Sequence, residues 1–297
     1  MKNQDFIKLI YENNIEVSIL KNSHFSIATS PYYAHQQGLA IDIYESLILR
    51  NYYVHSPIEG KVIDIKELKA PYAKFENGLN KEYLILVKSS QNPHIKFKIL
   101  HINPDISIGE ELYIGDIIGK TIRNGYFAYW SSPHIHLEIR SISDVNRAKG
   151  GLPFKLNLVN STNKLDSNQK FHSEKYIPLK VKEVYPEFIL ASLPNKYYYR
   201  IGNIIGIKGN CKNLCCILDG GIPLYKKGIV IFRNEMKDNL MNNPVFINDA
   251  MLGRINSIRK NLVFFNYFKD ISIRLNENKI RGLSLFLSGN EPSIKLI

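Results

Sequence analysis

The chain is built from short runs rich in Val, Ile, Tyr and Phe, cut by Gly, Pro, Asn or Ser before they reach helical length. Half-buried strands need this pattern, because successive side chains leave a strand on opposite faces. Such runs occur at 15–20, 25–28, 39–44, 61–66, 83–87 and 96–102. Apolar pieces at 108–119 alternate with Gly109, Gly115 and Gly119, the residues that let a small β-unit turn tight corners. The pattern lapses at Arg147-Ala-Lys-Gly-Gly-Leu-Pro153 and through the polar stretch 160–169. It resumes at 179–184, 188–191, 197–201, 228–232, 262–265, 271–275 and 283–287. Only the first 14 residues predict a helix, with Phe6, Ile7, Ile10 and Tyr11 on one face. The expectation is a mainly β protein: a helix and strands over 1–30, a compact antiparallel β domain over 31–150, a linker over 151–175, and a β-rich domain over 176–297.

A length of 297 residues leaves room for these two domains. With 44% hydrophobic and 22% charged residues, the chain reads as globular. A net charge of +12 and a pI near 9.4 fit an anionic polymer or surface as partner, or equally a solvated lysine-rich surface. No nucleic-acid motif accompanies the charge, so nucleic acid is not an expected partner. No apolar run is long enough to span a membrane, and the start lacks a secretory leader's apolar core and cleavage site. Cys211, Cys215 and Cys216 form no disulfide framework, and the combined expectation is a cytoplasmic protein. Three thiols without a clear fourth ligand also fit structural zinc spacings poorly, so buried or loop cysteines are expected.

Chemistry concentrates in the first half. In Pro133-His134-Ile-His136-Leu-Glu138-Ile-Arg140, strand alternation puts His134 and His136 on one face. Neutral imidazole is a common zinc ligand, although two such histidines on a half-exposed strand can also be plain surface residues. His35, Asp42 and His101 precede them, and His101 ends a strand able to lie beside the one carrying His134. A hydrolytic zinc site needs three protein ligands with groups for acid/base work nearby. His35, Asp42 and one of the pair can supply the ligands, leaving His101 and the other histidine for proton transfer. The aromatic loop Tyr126-Phe-Ala-Tyr-Trp130 leads into this strand and either covers the sheet or lines a groove.

The ordered set resembles the lysostaphin-type zinc metallopeptidases, many of which are peptidoglycan endopeptidases. The matching pieces are His35-Gln-Gln-Gly38 with Asp42, Pro57-Ile-Glu-Gly60, Leu100-His101, Ile108-Gly109 through Ile114-Gly115-Asp-Ile-Ile-Gly119, and Pro133-His134-Ile-His136-Leu-Glu138. The resemblance spans about residues 31–140. It implies a compact antiparallel β fold of the duplicated hybrid-motif type, with zinc on His35, Asp42 and His136. His101 and His134 match the family's non-ligand catalytic histidines. It implies hydrolysis of a peptide bond by a metal-activated water, in a peptide or peptide-cross-linked polymer often containing glycine or D-residues. Two departures stand out. The family usually has four residues from the first histidine to the aspartate, whereas His35 and Asp42 are seven apart. On an ideal strand that odd step puts them on opposite faces, so a bulge or loop at Gly38 is expected to restore convergence. The loop before Pro133 is also bulkier than the family's Gly/Ser-rich one. The contrasting expectation is a divergent or inactive metal-binding β scaffold that binds an anionic polymer or a protein partner.

Overall fold

A computed structural model describes residues 6–158, 178–233, 240–268, 274–275, 278–279 and 282–297. Residues 1–5, the polar stretch 160–169 and the first three residues of the run at 271–275 lie outside the described residues. The protein is mainly antiparallel β, and its residues group into two units. One comprises Met1–Phe25 and Tyr33–Asn157, the other Ser26–Tyr32 and Leu158–Ile297.

The start is a strand rather than a helix. Phe6–Glu12 pairs antiparallel with Ile15–Leu20, and the turn between them places Asn13 and Asn14 at φ 51° and 54°. Two positive-φ residues make the tight turn that matches the twist of paired strands, and Asn tolerates that conformation best after glycine. This turn chemistry prevails over the helical spacing of Phe6, Ile7, Ile10 and Tyr11. Leu9 and Ile10 are buried, whereas Tyr11 is 65% exposed.

The first unit is organised on one antiparallel sheet. Across it, Glu111–Leu112, Gly60–Lys69, Lys81–Ser89, Ile95–Leu100, Ile135–Ser141 and Ala40–Tyr44 lie side by side in that order. Ile41, Ile43, Ile85, Val87, Phe97, Ile99, Leu137 and Ile139 are buried. Each such side chain contributes roughly 1.5–3 kcal/mol on leaving water. A smaller three-stranded sheet pairs Ile117–Thr121 with both Tyr53–His55 and Ile102–Pro104. Gly109, Gly115 and Gly119 all have positive φ, in keeping with their expected place at corners.

In the second unit six strands close on themselves. Ile204–Cys211, Leu214–Ile222, Lys227–Ile231, Leu262–Tyr267, Ala250–Arg259 and Pro244–Ile247 pair in turn, and the last pairs back to the first. Closure leaves no open edge among these strands. Leu218, Val230, Val245, Leu252, Ile255 and Phe265 belong to the core, together with Cys211 and Cys216. Leu214–Ile222 serves two pairings: Ile217–Asp219 face the Lys227–Ile231 strand, and Gly220–Ile222 face Leu283–Leu285. At the changeover the buried Asp219 carboxylate accepts hydrogen bonds from Ser26 Oγ, the Ile27 N–H and the Ala28 N–H. No helix among the described residues is long and apolar enough to cross a membrane.

Candidate metal centre

The register of the first sheet assembles most of the site. His136 stands directly opposite Asp42 on one neighbouring strand and opposite Leu100 on the other. Directly opposed residues share a face, so Asp42 and His136 point the same way, with His134 two residues earlier beside them. Ile135 and Leu137 fill the other face and are buried.

His35 arrives from a helical turn, not from the Asp42 strand. Tyr33–Gln36 is a short α-helix closed by Gly38 at φ 64°. The Gly38 N–H donates to the His35 carbonyl, and the Leu39 N–H donates to the Ala34 carbonyl. This pair of bonds is the Schellman C-cap, and the Leu39–Ala34 contact is its usual apolar companion. The helical turn takes up the odd seven-residue step, so face parity along a strand never applies to His35.

The three side chains converge. His35 Nε2 lies 3.1 Å from Asp42 Oδ1, His136 Nδ1 lies 3.0 Å from the same oxygen, and the two nitrogens are 3.0 Å apart. All three residues are buried, and among the described residues they form a group able to hold a metal ion. Tetrahedral zinc with bonds of about 2.0–2.1 Å separates its ligand atoms by about 3.3–3.4 Å. The observed triangle is a few tenths of an ångström tighter, and its two imidazoles and one carboxylate are a donor set zinc accepts. Glu138 Oε1 lies 3.1 Å from His136 Nε2. A carboxylate only accepts, so it fixes a proton on Nε2 and turns Nδ1 toward the cluster, as partners behind metal-bound histidines do. Glu138 is in turn held by Lys98 Nζ at 2.8 Å and by Arg140 Nε at 2.8 Å.

The catalytic candidates lie against this group. His134 Nδ1 donates to the Ser132 carbonyl at 2.8 Å, and its Nε2 is 3.5 Å from Asp42 Oδ1. The His101 ring is centred 5.2 Å from His134 and 5.7 Å from His136. Continued strand alternation from Leu100 would turn His101 to the opposite face, but its φ of 72° breaks the alternation and re-aims the ring. Thus all five sequence-selected residues, His35, Asp42, His101, His134 and His136, gather in one place. Phe127 packs on both His101 and His134, with ring centroids 4.7 and 4.8 Å away. Of the aromatic loop, Phe127 therefore reaches the cluster, while Trp130 packs edge-on to Tyr129.

Electrostatics follow from burial and proximity. Burial works to raise the Asp42 pKa, but His134, His35 and His136 outweigh it and hold the carboxyl well below the usual range. Burial pushes His134 down to about 3, so it is neutral at pH 7. Burial also works to lower His136, but hydrogen bonds to Asp42 and Glu138 prevail and carry it up to about 9. In the metal-free protein a proton on Nδ1 thus occupies the place where a cation would bind.

Sequence reasoning missed Glu82. This buried carboxylate on the Lys81–Ser89 strand takes the His101 N–H at 2.8 Å and meets His101 Nδ1 at 2.5 Å. No local spacing signals a partner 19 positions away. Glu138 was visible in the motif, but its contact with His136 needed the structure. The cysteines form no metal group among the described residues. Cys211 and Cys216 are buried, and burial pushes the Cys211 thiol up to about 11.

No curated protein matches the chain. Among solved structures, the catalytic domain of the antimicrobial peptidase lysostaphin from Staphylococcus simulans aligns at 16% identity and a TM-score of 0.29, covering 43% of this chain and 86% of that one. A second structure, described as the antimicrobial peptidase lysostaphin from Staphylococcus simulans, aligns at 12% identity and a TM-score of 0.30, covering 92% of this chain and 95% of that one. A complex of SpoIIIAH and SpoIIQ aligns at 17% identity and a TM-score of 0.26, covering 46% and 92%. At scores of this size the likeness by itself says nothing about activity. Residues 14–156 match the family model described as Domain of unknown function (DUF8155) N-terminal domain, and residues 183–297 match its C-terminal domain counterpart.

Proposed function

We propose that the protein is a zinc-dependent peptidase with His35, Asp42 and His136 as metal ligands and His101 and His134 as catalytic residues. The observation that carries this reading is the buried triangle of His35 Nε2, Asp42 Oδ1 and His136 Nδ1, with sides of 3.0–3.1 Å. The ordered resemblance of residues 31–140 to lysostaphin-type metallopeptidases supports the same assignment. When bound, zinc supplies a Lewis acid that polarises a carbonyl and acidifies water. The chain's own groups do the rest: Glu138 orients His136, Asp42 stays ionised, and neutral His134 offers its Nε2 beside the cluster. His101 stands within reach for proton transfer. The substrate class this reading implies is a peptide or peptide-cross-linked polymer.

Burial favours a second reading. His35, Asp42, His134, His136 and His101 are all 9% exposed or less, and Phe127 covers two of them. A closed cluster of this kind also suits a metal-binding scaffold without turnover.

Metal analysis of the purified full chain, with quenched-fluorescent peptides containing glycine and D-residues, separates the two. The peptidase reading expects one zinc per chain, lost in an Asp42→Ala/His136→Ala variant. It also expects cleavage that His101→Ala abolishes while zinc stays bound. Zinc that persists in the double variant overturns the ligand assignment. Stoichiometric zinc without cleavage of any peptide selects the scaffold.

A further inference from the structure

We propose that Glu82 is a positioning residue for His101, fixing its ring as the Nδ1–H tautomer and leaving Nε2 as the basic nitrogen. The proposal deepens the peptidase reading and rests on it for its catalytic meaning, although the tautomer itself does not depend on zinc.

Three features of the structure carry it. First, Glu82 grips His101 twice. One carboxylate oxygen accepts the backbone N–H at 2.8 Å and the other meets Nδ1 at 2.5 Å. A carboxylate only accepts, so the proton of that contact belongs to Nδ1. Second, the carboxylate is built in. Its residue is 2% exposed, and it also accepts the Tyr83 N–H at 2.9 Å and Asn124 Nδ2 at 2.8 Å. Among the described residues, His101 is the one basic side chain within ion-pair distance of it. Third, His101 holds a φ of 72°, a conformation costly for a residue with a Cβ, and the bond from its N–H to Glu82 secures that geometry.

The two non-ligand histidines therefore differ in kind. His134 has a neutral carbonyl behind Nδ1, that of Ser132, whereas His101 has a carboxylate. A carboxylate stabilises the imidazolium that forms when the ring takes a proton on Nε2; a carbonyl does so far less. On this basis His101 accepts the proton from the attacking water and His134 serves as the hydrogen-bonding partner. The proton moves from water oxygen to His101 Nε2, and Glu82 neither gains nor loses one.

A similar double grip occurs at His55, where Glu45 accepts the N–H at 2.6 Å and meets Nδ1 at 2.8 Å. Its His55 has no ring contact to the cluster histidines among those observed, so it provides an internal control for a purely structural clamp.

The test uses 15N-labelled full chain with and without one equivalent of zinc. Long-range proton–nitrogen correlations of the imidazoles report each tautomer, with His101→Ala for assignment. Wild-type His101 is expected to carry its proton on Nδ1. Glu82→Met, which removes both acceptor oxygens, is expected to lower the Nδ1–H to Nε2–H ratio at least about tenfold. Glu45→Met is expected to leave the His101 signals in place. A wild-type His101 protonated on Nε2 overturns the proposal, as does a ratio that stays within about twofold in Glu82→Met. If Glu82→Met fails to fold, the wild-type spectrum alone decides. Failure of the metal reading is seen separately, as absence of bound zinc.

Discussion

Asp42 and His136 are direct cross-strand partners whose side chains meet through Oδ1 and Nδ1 at 3.0 Å. The same Nδ1 is where a metal would bind, so proton and metal compete for one nitrogen. The Asp42 and Glu138 contacts carry the metal-free His136 up to about 9, and a protonated His136 must release that proton to become a ligand. Zinc affinity is therefore expected to rise about tenfold per pH unit from pH 6 toward pH 9 and then level off. Titration calorimetry in buffers of different ionisation enthalpy, repeated along that range, reads both the slope and the released proton. A flat profile would remove His136 Nδ1 from the ligand set.

Gly38 delivers His35. Its φ of 64° lies in the left-handed region, where a side chain costs about 1–2 kcal/mol. Gly38→Ala should lower stability by about 1 kcal/mol and weaken zinc binding more than an equally destabilising change in the second unit. Urea unfolding with zinc titration on both variants checks this. Equal metal affinities would show that the Schellman turn does not set the position of His35.

Glu82 also links stability to pH. Burial works to raise its pKa, but His101 and Asn124 outweigh that and bring it from 4.5 to about 2. The folded value lies below the unfolded one, so the unfolded chain binds the proton first as pH falls. The contribution is complete above pH 4.5 and disappears as pH drops toward 2. Its size at neutral pH is on the order of 3 kcal/mol. Zinc-free Glu82→Gln should be less stable than wild type at pH 7, with the gap closing between pH 4.5 and 2. Denaturant unfolding across that range measures it, and a gap independent of pH would contradict the lowered pKa of the Glu82 carboxyl.

The cysteines should behave as core residues rather than ligands. Cys211 and Cys216 are fully buried with thiols pushed up by burial, while Cys215 is partly exposed. Under native conditions iodoacetamide should label Cys215 at least about tenfold faster than the other two. Mass mapping of the labelled peptides distinguishes the sites, and rapid labelling of Cys216 would place it outside the core.

Much of the first unit was legible in the sequence because strands and same-face relations are local properties. Alternation along 134–140 put His134 and His136 on one side, and it did so without knowing any neighbour. The helix expected at the start failed because Asn13 and Asn14 favour a tight turn, and pairing with 15–20 then buries Leu9 and Ile10. The second unit was readable as β-rich. Its closure was not, because the member strand Ala250–Arg259 breaks the simple alternation with bulges against both of its neighbours.

By itself, the sequence determined which residues are the candidates for the site and which of them share a strand face, since a side chain's direction within one element follows from backbone geometry. Only the tertiary structure decided how the elements meet. Register set His136 against Asp42, a capped helical turn brought His35 across an unfavourable step, and a positive φ turned His101 inward. Glu82 and Glu138 became partners of histidines through pairing and packing, which depend on the whole sheet and leave no mark in local spacing.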